Sequence, residues 1–162
     1  MNVVWKQSDT TTAYEYVQSA GGLETEQVYP YTSGSSGDNG QCAFDASKTI
    51  VTVTNWSYAV PPCDGACNGQ NENLLLTQLY SIGPVSICVN AAPWQFYTGG
   101  IMKTGCGHAA SDLDHCVQLT GFDKTASPGY WIVRNSWNTD WGLEGFIWLQ
   151  MGSNLCGVAD EA

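Results

Sequence analysis

Beyond Gly83-Pro84 the chain carries a succession of short apolar or alternating runs, at residues 85–90, 115–122, 130–135 and 146–150, separated by Gly, Asp, Ser and Pro. Runs of this length suit strands with a buried face, and the turn residues between them favour antiparallel neighbours. Four or more antiparallel strands are therefore expected. Two segments upstream have helical spacing instead. Between Asp9 and Ala20, residues Ala13, Tyr16, Val17 and Ala20 share a face, and Gly21-Gly22 supplies the stop. From Asn71 to Ser81 a polar cap precedes Leu74, Leu75, Leu76, Leu79 and Tyr80, which reads as a buried helix ended by Gly83-Pro84. Between these helices, residues 49–54 are almost wholly β-branched and read as a strand, whereas the Gly/Ser stretch 33–40 reads as a surface loop with no packed element. Helices ahead of a run of strands predict an α+β layout, with a strongly curved, barrel-like antiparallel sheet closing on itself and short helices at its ends.

A chain of 162 residues, 43% hydrophobic and 12% charged, can bury one sizeable core, so residues 1–162 are taken as one domain. Its formal charge of −10 repels phosphate backbones and anionic membrane surfaces, so neither nucleic acid nor membrane is an expected partner. The longest apolar runs, Leu74-Leu75-Leu76 among them, are far shorter than a bilayer span. Residues 1–6 lack the basic cluster and apolar stretch of a secretory signal, yet seven cysteines point to an oxidising compartment. The two agree if the true amino-terminal region lies outside this sequence, and Asn55-Trp56-Ser57, a glycosylation acceptor, fits a secretory route.

Among the cysteines, Cys63 and Cys67 flank a short glycine-containing loop that a disulfide can close. Cys88 and Cys116 fall inside apolar strands and read as small buried hydrophobes, with thiols made inert by burial. A rival set of zinc ligands, Cys63, Cys67, Cys106, His108, His115 and Cys116, contains no two pairs at matched ligand spacing, so no metal and no cofactor is expected.

Chemistry concentrates in two segments. One histidine, in Leu113-Asp114-His115-Cys116-Val117, stands at the mouth of a strand built for burial; alone it signifies little. Twenty residues on comes Asn135-Ser136-Trp137-Asn138-Thr139-Asp140-Trp141-Gly142, followed by Gly145-Phe146. This arrangement resembles the papain family of cysteine peptidases, cathepsin L-like members included, in which a histidine near a strand start pairs with the asparagine of an Asn-Ser-Trp-Gly-x-x-Trp-Gly segment. Gly21-Gly22-Leu23, Tyr29-Pro30-Tyr31, Gly83-Pro84-Val85-Ser86 and Tyr97-Thr98-Gly99-Gly100-Ile101 extend the likeness in family order over nearly the whole chain, residues 1–12 aligning least clearly. Asn138 stands where the family has glycine, and asparagine tolerates the positive backbone dihedral a turn glycine supplies.

The resemblance implies the carboxy-terminal, right-hand lobe of that fold. It gives His115 the role of catalytic acid and base and Asn135 that of orienting the imidazole, with Trp137 covering their bond and Trp141 and Asp114 in support. It also implies what is missing. The family's nucleophile lies in a Cys-Gly-Ser-Cys-Trp-like segment about 130–150 residues upstream of the histidine, farther than this chain reaches. None of the seven cysteines lies in such a segment, and the glutamine that helps hold the oxyanion has no counterpart. Family pairing joins Cys106 to Cys156 and leaves Cys42, whose usual partner is in the absent lobe, as a free thiol. The residue five places after the last bridge cysteine, Glu161, would floor a substrate pocket suited to an arginine or a large apolar side chain. Two functions are implied: one half of a thiol endopeptidase of lysosomal or extracellular type, inactive without its other lobe in cis or trans, acting on peptides or proteins; or a non-catalytic relative whose cleft binds a peptide or partner protein.

Overall fold

In a computed structural model, residues 10–38 and 40–162 are described. The Asp9 start of the first helix lies outside the described residues, as do residues 1–8. The chain forms two compact units, residues 11–57 and residues 58–162.

The first unit takes in all but the first residue of α1, Thr10–Ala20, whose one buried side chain is Val17. The N–H groups of Gly21 and Gly22 both return to the Val17 carbonyl, at 3.1 and 2.9 Å, which is how the helix ends. Gly22 has φ +135° and a side chain there would strike the Val51 carbonyl, so only glycine lets the next residue pair with that segment. The pairing is a single bridge, Leu23 with Val51. Residues 49–54 are therefore not a strand. Their β-branched composition favours extended chain, but the partner turns away at once, with Val28 N–H donating to Thr25 O at 3.0 Å, so no ladder can lengthen. A single helical turn, α2 at Ser33–Ser36, occupies the stretch read as a loop.

The second unit holds α3, Glu72–Ile82, capped by the Asn71 side chain, which accepts from Leu74 N–H, and a five-stranded sheet. The strands are β1 (Val85–Val89), β2 (Ile101–Met102), β3 (His115–Asp123), β4 (Tyr130–Arg134) and β5 (Phe146–Gln150), in the order β1-β3-β4-β5-β2. Alternation places Val117, Leu119, Trp131, Val133, Ile147 and Leu149 in the core with Leu75 and Leu79 of α3. Tyr80, expected on the buried face of α3, is exposed.

The fold is α+β as expected, but the sheet does not close. β2 is only two residues long and joins β5 in parallel, so one edge is too short to complete a barrel. At the other edge, β1 is covered by the carboxy-terminal segment, with Asn90 N–H donating to Cys156 O at 2.8 Å and Cys88 N–H to Glu161 O at 3.0 Å. An edge satisfied in this way has no need of a closing strand. The Glu72 carboxylate joins α3 to the sheet by accepting from Trp131 Nε1–H, Gly152 N–H and Asn154 N–H.

Candidate active site

His115 is the first residue of β3, and Asn135 directly follows β4. The backbone N–H of Asn135 donates to Gly145 O at 2.9 Å and Gly145 N–H to Trp141 O at 2.8 Å, so residues 135–145 form a tightly folded loop. Asn138 has φ +71°, the positive value its sequence position requires. Gly142 has φ +58°, and a Cβ on it would collide with the Phe146 carbonyl and crowd the Tyr97 ring.

Nε2 of His115 lies 2.9 Å from Oδ1 of Asn135. The Ser136 backbone N–H donates to the same Oδ1 at 2.8 Å. A backbone N–H can only donate, so this contact fixes which end of the amide is oxygen. With the acceptor fixed, the imidazole must be the donor. The neutral ring therefore carries its proton on Nε2 and presents Nδ1 as the basic nitrogen.

Aromatic rings connect this bond to the core. Trp137 stacks on His115 with centroids 5.5 Å apart and planes inclined by 21°, and Trp141 meets Trp137 edge-on at 5.1 Å. Trp141 donates its indole N–H to Trp94 O at 3.2 Å and stacks on the fully buried Trp94 ring. Trp137 itself remains 36% exposed, so it covers one face of the imidazole while its outer side meets water.

Asp114 acts on the backbone. Its Oδ1 accepts from Ala91 N–H at 2.7 Å and its own N–H donates to Val89 O at 3.0 Å, which ties the residue before His115 to the end of β1. Glu161 is placed by its backbone bridge to Cys88.

Three disulfides form, Cys63–Cys67, Cys88–Cys116 and Cys106–Cys156, and Cys42 is exposed and unbridged. The four cysteines of the rival zinc set are thus all oxidised and offer no thiolate to a metal. Cys88 and Cys116, read as inert buried thiols, are instead bonded to each other. They stand opposite one another on β1 and β3 with Cα atoms 4.0 Å apart, the kind of closely spaced cross-strand pair that a disulfide can bridge. Their apolar surroundings gave no sign of this, because the register of two strands separated by a long connection is not written in either strand.

Asp160 also escaped notice. It is fully buried, and its Oδ1 accepts from Asn154 Nδ2 at 2.6 Å. Burial pushes its carboxyl up to about 6, against the Asn154 hydrogen bond and the nearby His108.

With this geometry in hand, relatives are informative. Residues 6–162 match the family described as papain family cysteine protease. The chain belongs to that family. Among papain-family relatives, cathepsin O of Homo sapiens is 46% identical over 140 residues, covering 86% of this chain and 40% of that protein. Cysteine proteinase 1 of Dictyostelium discoideum is 34% identical over 153 residues, covering 91% of this chain and 40% of that protein. A solved structure of digestive procathepsin L 3 from Tenebrio molitor larval midgut superposes with a TM-score of 0.78 at 29% identity, over 93% of this chain and 45% of that one. The chain thus spans less than half the length of these family members, and its α+β fold corresponds to the family's right-hand lobe.

Proposed function

We propose that this chain supplies the histidine and asparagine half of a cysteine-peptidase active site, with the nucleophilic thiol and the oxyanion glutamine provided by a lobe outside this sequence, in cis or in trans. The observation that carries the reading is the His115–Asn135 pair with its tautomer fixed by Ser136 N–H. A base that accepts a thiol proton at Nδ1 needs its other nitrogen protonated and anchored, and this pair provides both. Trp137 limits water at the anchoring bond, which strengthens it. Asp114 keeps the backbone before His115 in place. The substrate is a peptide or protein, and the route is lysosomal or extracellular, in keeping with three disulfides.

Without the second lobe the chain does not hydrolyse peptides. Joining it to the nucleophile-bearing half of a complete papain-family enzyme should yield thiol-dependent cleavage of a fluorogenic peptide. His115→Ala in the joined enzyme should lower kcat/KM by about 10²–10⁴-fold, the range of general acid–base catalysis. Thiol-dependent turnover by the isolated chain, or an active joined enzyme indifferent to His115→Ala, would overturn the proposal. A joined enzyme that folds but only binds peptide would favour the non-catalytic reading. Glu161 flooring a substrate pocket is testable in the same protein: Glu161→Ala should erode any preference for arginine over leucine substrates, and an unchanged preference removes the assignment.

A further inference from the structure

β3 is held unevenly along its length. Its rungs with β4 run from Gln118↔Arg134 to Asp123↔Tyr130. Among the described residues, His115, Cys116 and Val117 therefore take their ladder partners from β1 alone, through Val89, Cys88 and Ile87. Asn135, just past the end of β4, must still meet the His115 ring across the gap where the β3–β4 ladder has stopped. A strand end with one neighbour opens more readily than one paired on both sides.

The Cys88–Cys116 disulfide lies within this singly paired stretch, one residue from His115. The N–H of Cys88 points away from β3, to Glu161 O at 3.0 Å. Its rung with Cys116 is therefore of the kind that exchanges no backbone hydrogen bonds, and the covalent link stands where the ladder itself contributes least. The same N–H fastens β1 to the carboxy-terminal segment, so the anchor for β3 is itself backed on its far side.

We propose that the Cys88–Cys116 disulfide is a positioning device for His115: it fixes the singly paired end of β3 so that the imidazole keeps its bond to Asn135, and opening the disulfide loosens that bond while the sheet stays folded. The inference rests on reading the His115–Asn135 pair as the working part of the site. Opening follows thiol exchange. A dithiol reductant's thiolate attacks one sulfur, the S–S bond breaks, and the reductant's second thiol displaces the mixed disulfide; Cys88 and Cys116 each take up a proton and the reductant leaves as its own disulfide.

The test is nitrogen NMR of the His115 ring in the isolated chain, comparing wild type with a Cys88→Ala/Cys116→Ala double variant and a Cys106→Ala/Cys156→Ala double variant. Urea unfolding measures stability in parallel. In the first variant the His115 Nε2–H should exchange with water faster by about tenfold or more, as local opening becomes easier, and the ring nitrogens should shift toward a mixture of tautomers. In the second, both signals should stay near wild type even where stability falls as far. A Cys88→Val/Cys116→Val pair, which fills the same rung without a bond, should behave like the alanine pair and covers the case in which alanine prevents folding. Unchanged ring signals in the alanine or valine pair, or equal changes in both alanine variants, would overturn the proposal. Because the readout is the pair itself, the result stands apart from whether the chain ever supports peptide cleavage.

Discussion

Residues 58–162 carry a closed set of buried apolar side chains, Trp131, Leu119, Val133, Ile147 and Leu149 among them, each at 0% exposure. Residues 11–57 bury Val17 alone among the large apolar side chains described there, and leave even it 7% exposed, while Leu23, Val28, Tyr31, Ile50 and Val51 stand exposed. Similar residue types thus sit in very different surroundings within one chain. Composition sets how much a segment can bury; partners set how much it does. In the second unit the partners are strands in register; in the first they are an isolated bridge, a Tyr14–Trp56 stack and scattered hydrogen bonds, such as Gln18 to Thr54 O, Ala43 N–H to the Tyr29 hydroxyl and Asp45 N–H to the Glu24 carboxylate.

The sharpest way to break this contrast is truncation of a large side chain in each unit. Trp131→Ala should cost about 3–5 kcal/mol, since it opens a cavity and leaves the Glu72 carboxylate short of a donor, whereas Ile50→Ala should stay within about 0.5 kcal/mol. Urea unfolding followed by tryptophan fluorescence measures both; equal costs would erase the contrast.

Acidity should act most strongly on the second unit, through a buried carboxyl. The Asp160 carboxyl, ordinarily at 3.8, is raised to about 6 by burial. A carboxyl held up in the folded state binds its proton more tightly there than in the unfolded chain. Its stabilising contribution is complete below about pH 4 and is lost as pH rises through about 6, a change of about 2–3 kcal/mol. Asp160→Asn should flatten the stability profile between those values, and a variant retaining the wild-type slope would remove Asp160 as its source.

Smaller effects sharpen the comparison further. Asn71→Ala removes the cap of α3 and should cost about 1 kcal/mol. Cys42→Ser should leave stability within about 0.5 kcal/mol while abolishing thiol-linked dimers on non-reducing gels, because Cys42 is exposed and unbridged. Its thiol is shifted down, chiefly by a backbone hydrogen bond at Phe44 and a side-chain bond with Tyr16, so alkylation should reach it under native conditions.

Much of this was legible in the sequence. The runs at 85–90, 115–122, 130–135 and 146–150 became β1, β3, β4 and β5 with ends moved by at most one residue, because each is a short apolar or alternating run bounded by turn residues. α3 was readable from its cap and its Gly83 stop. The 49–54 strand failed because β-branched composition expresses a preference and cannot summon a partner. Sheet closure failed because β2, two residues long, has no periodicity to read. At the site, the residues that the family motif names came together in His115, Asn135, Trp137 and Trp141. Asp160 and the Glu72 clamp did not show, since a carboxylate's burial depends on what packs over it from elsewhere in the chain.

The Cys88–Cys116 bridge has a consequence for how the sheet keeps its register. The two residues are 28 apart in sequence, so no tight hairpin sets the register between β1 and β3. A slip of one residue would turn the two sulfurs to opposite faces of the sheet and forbid the bond. Once β1 and β3 are paired, the bond therefore holds the native register against a one-residue slip, a task that elsewhere falls to a short turn.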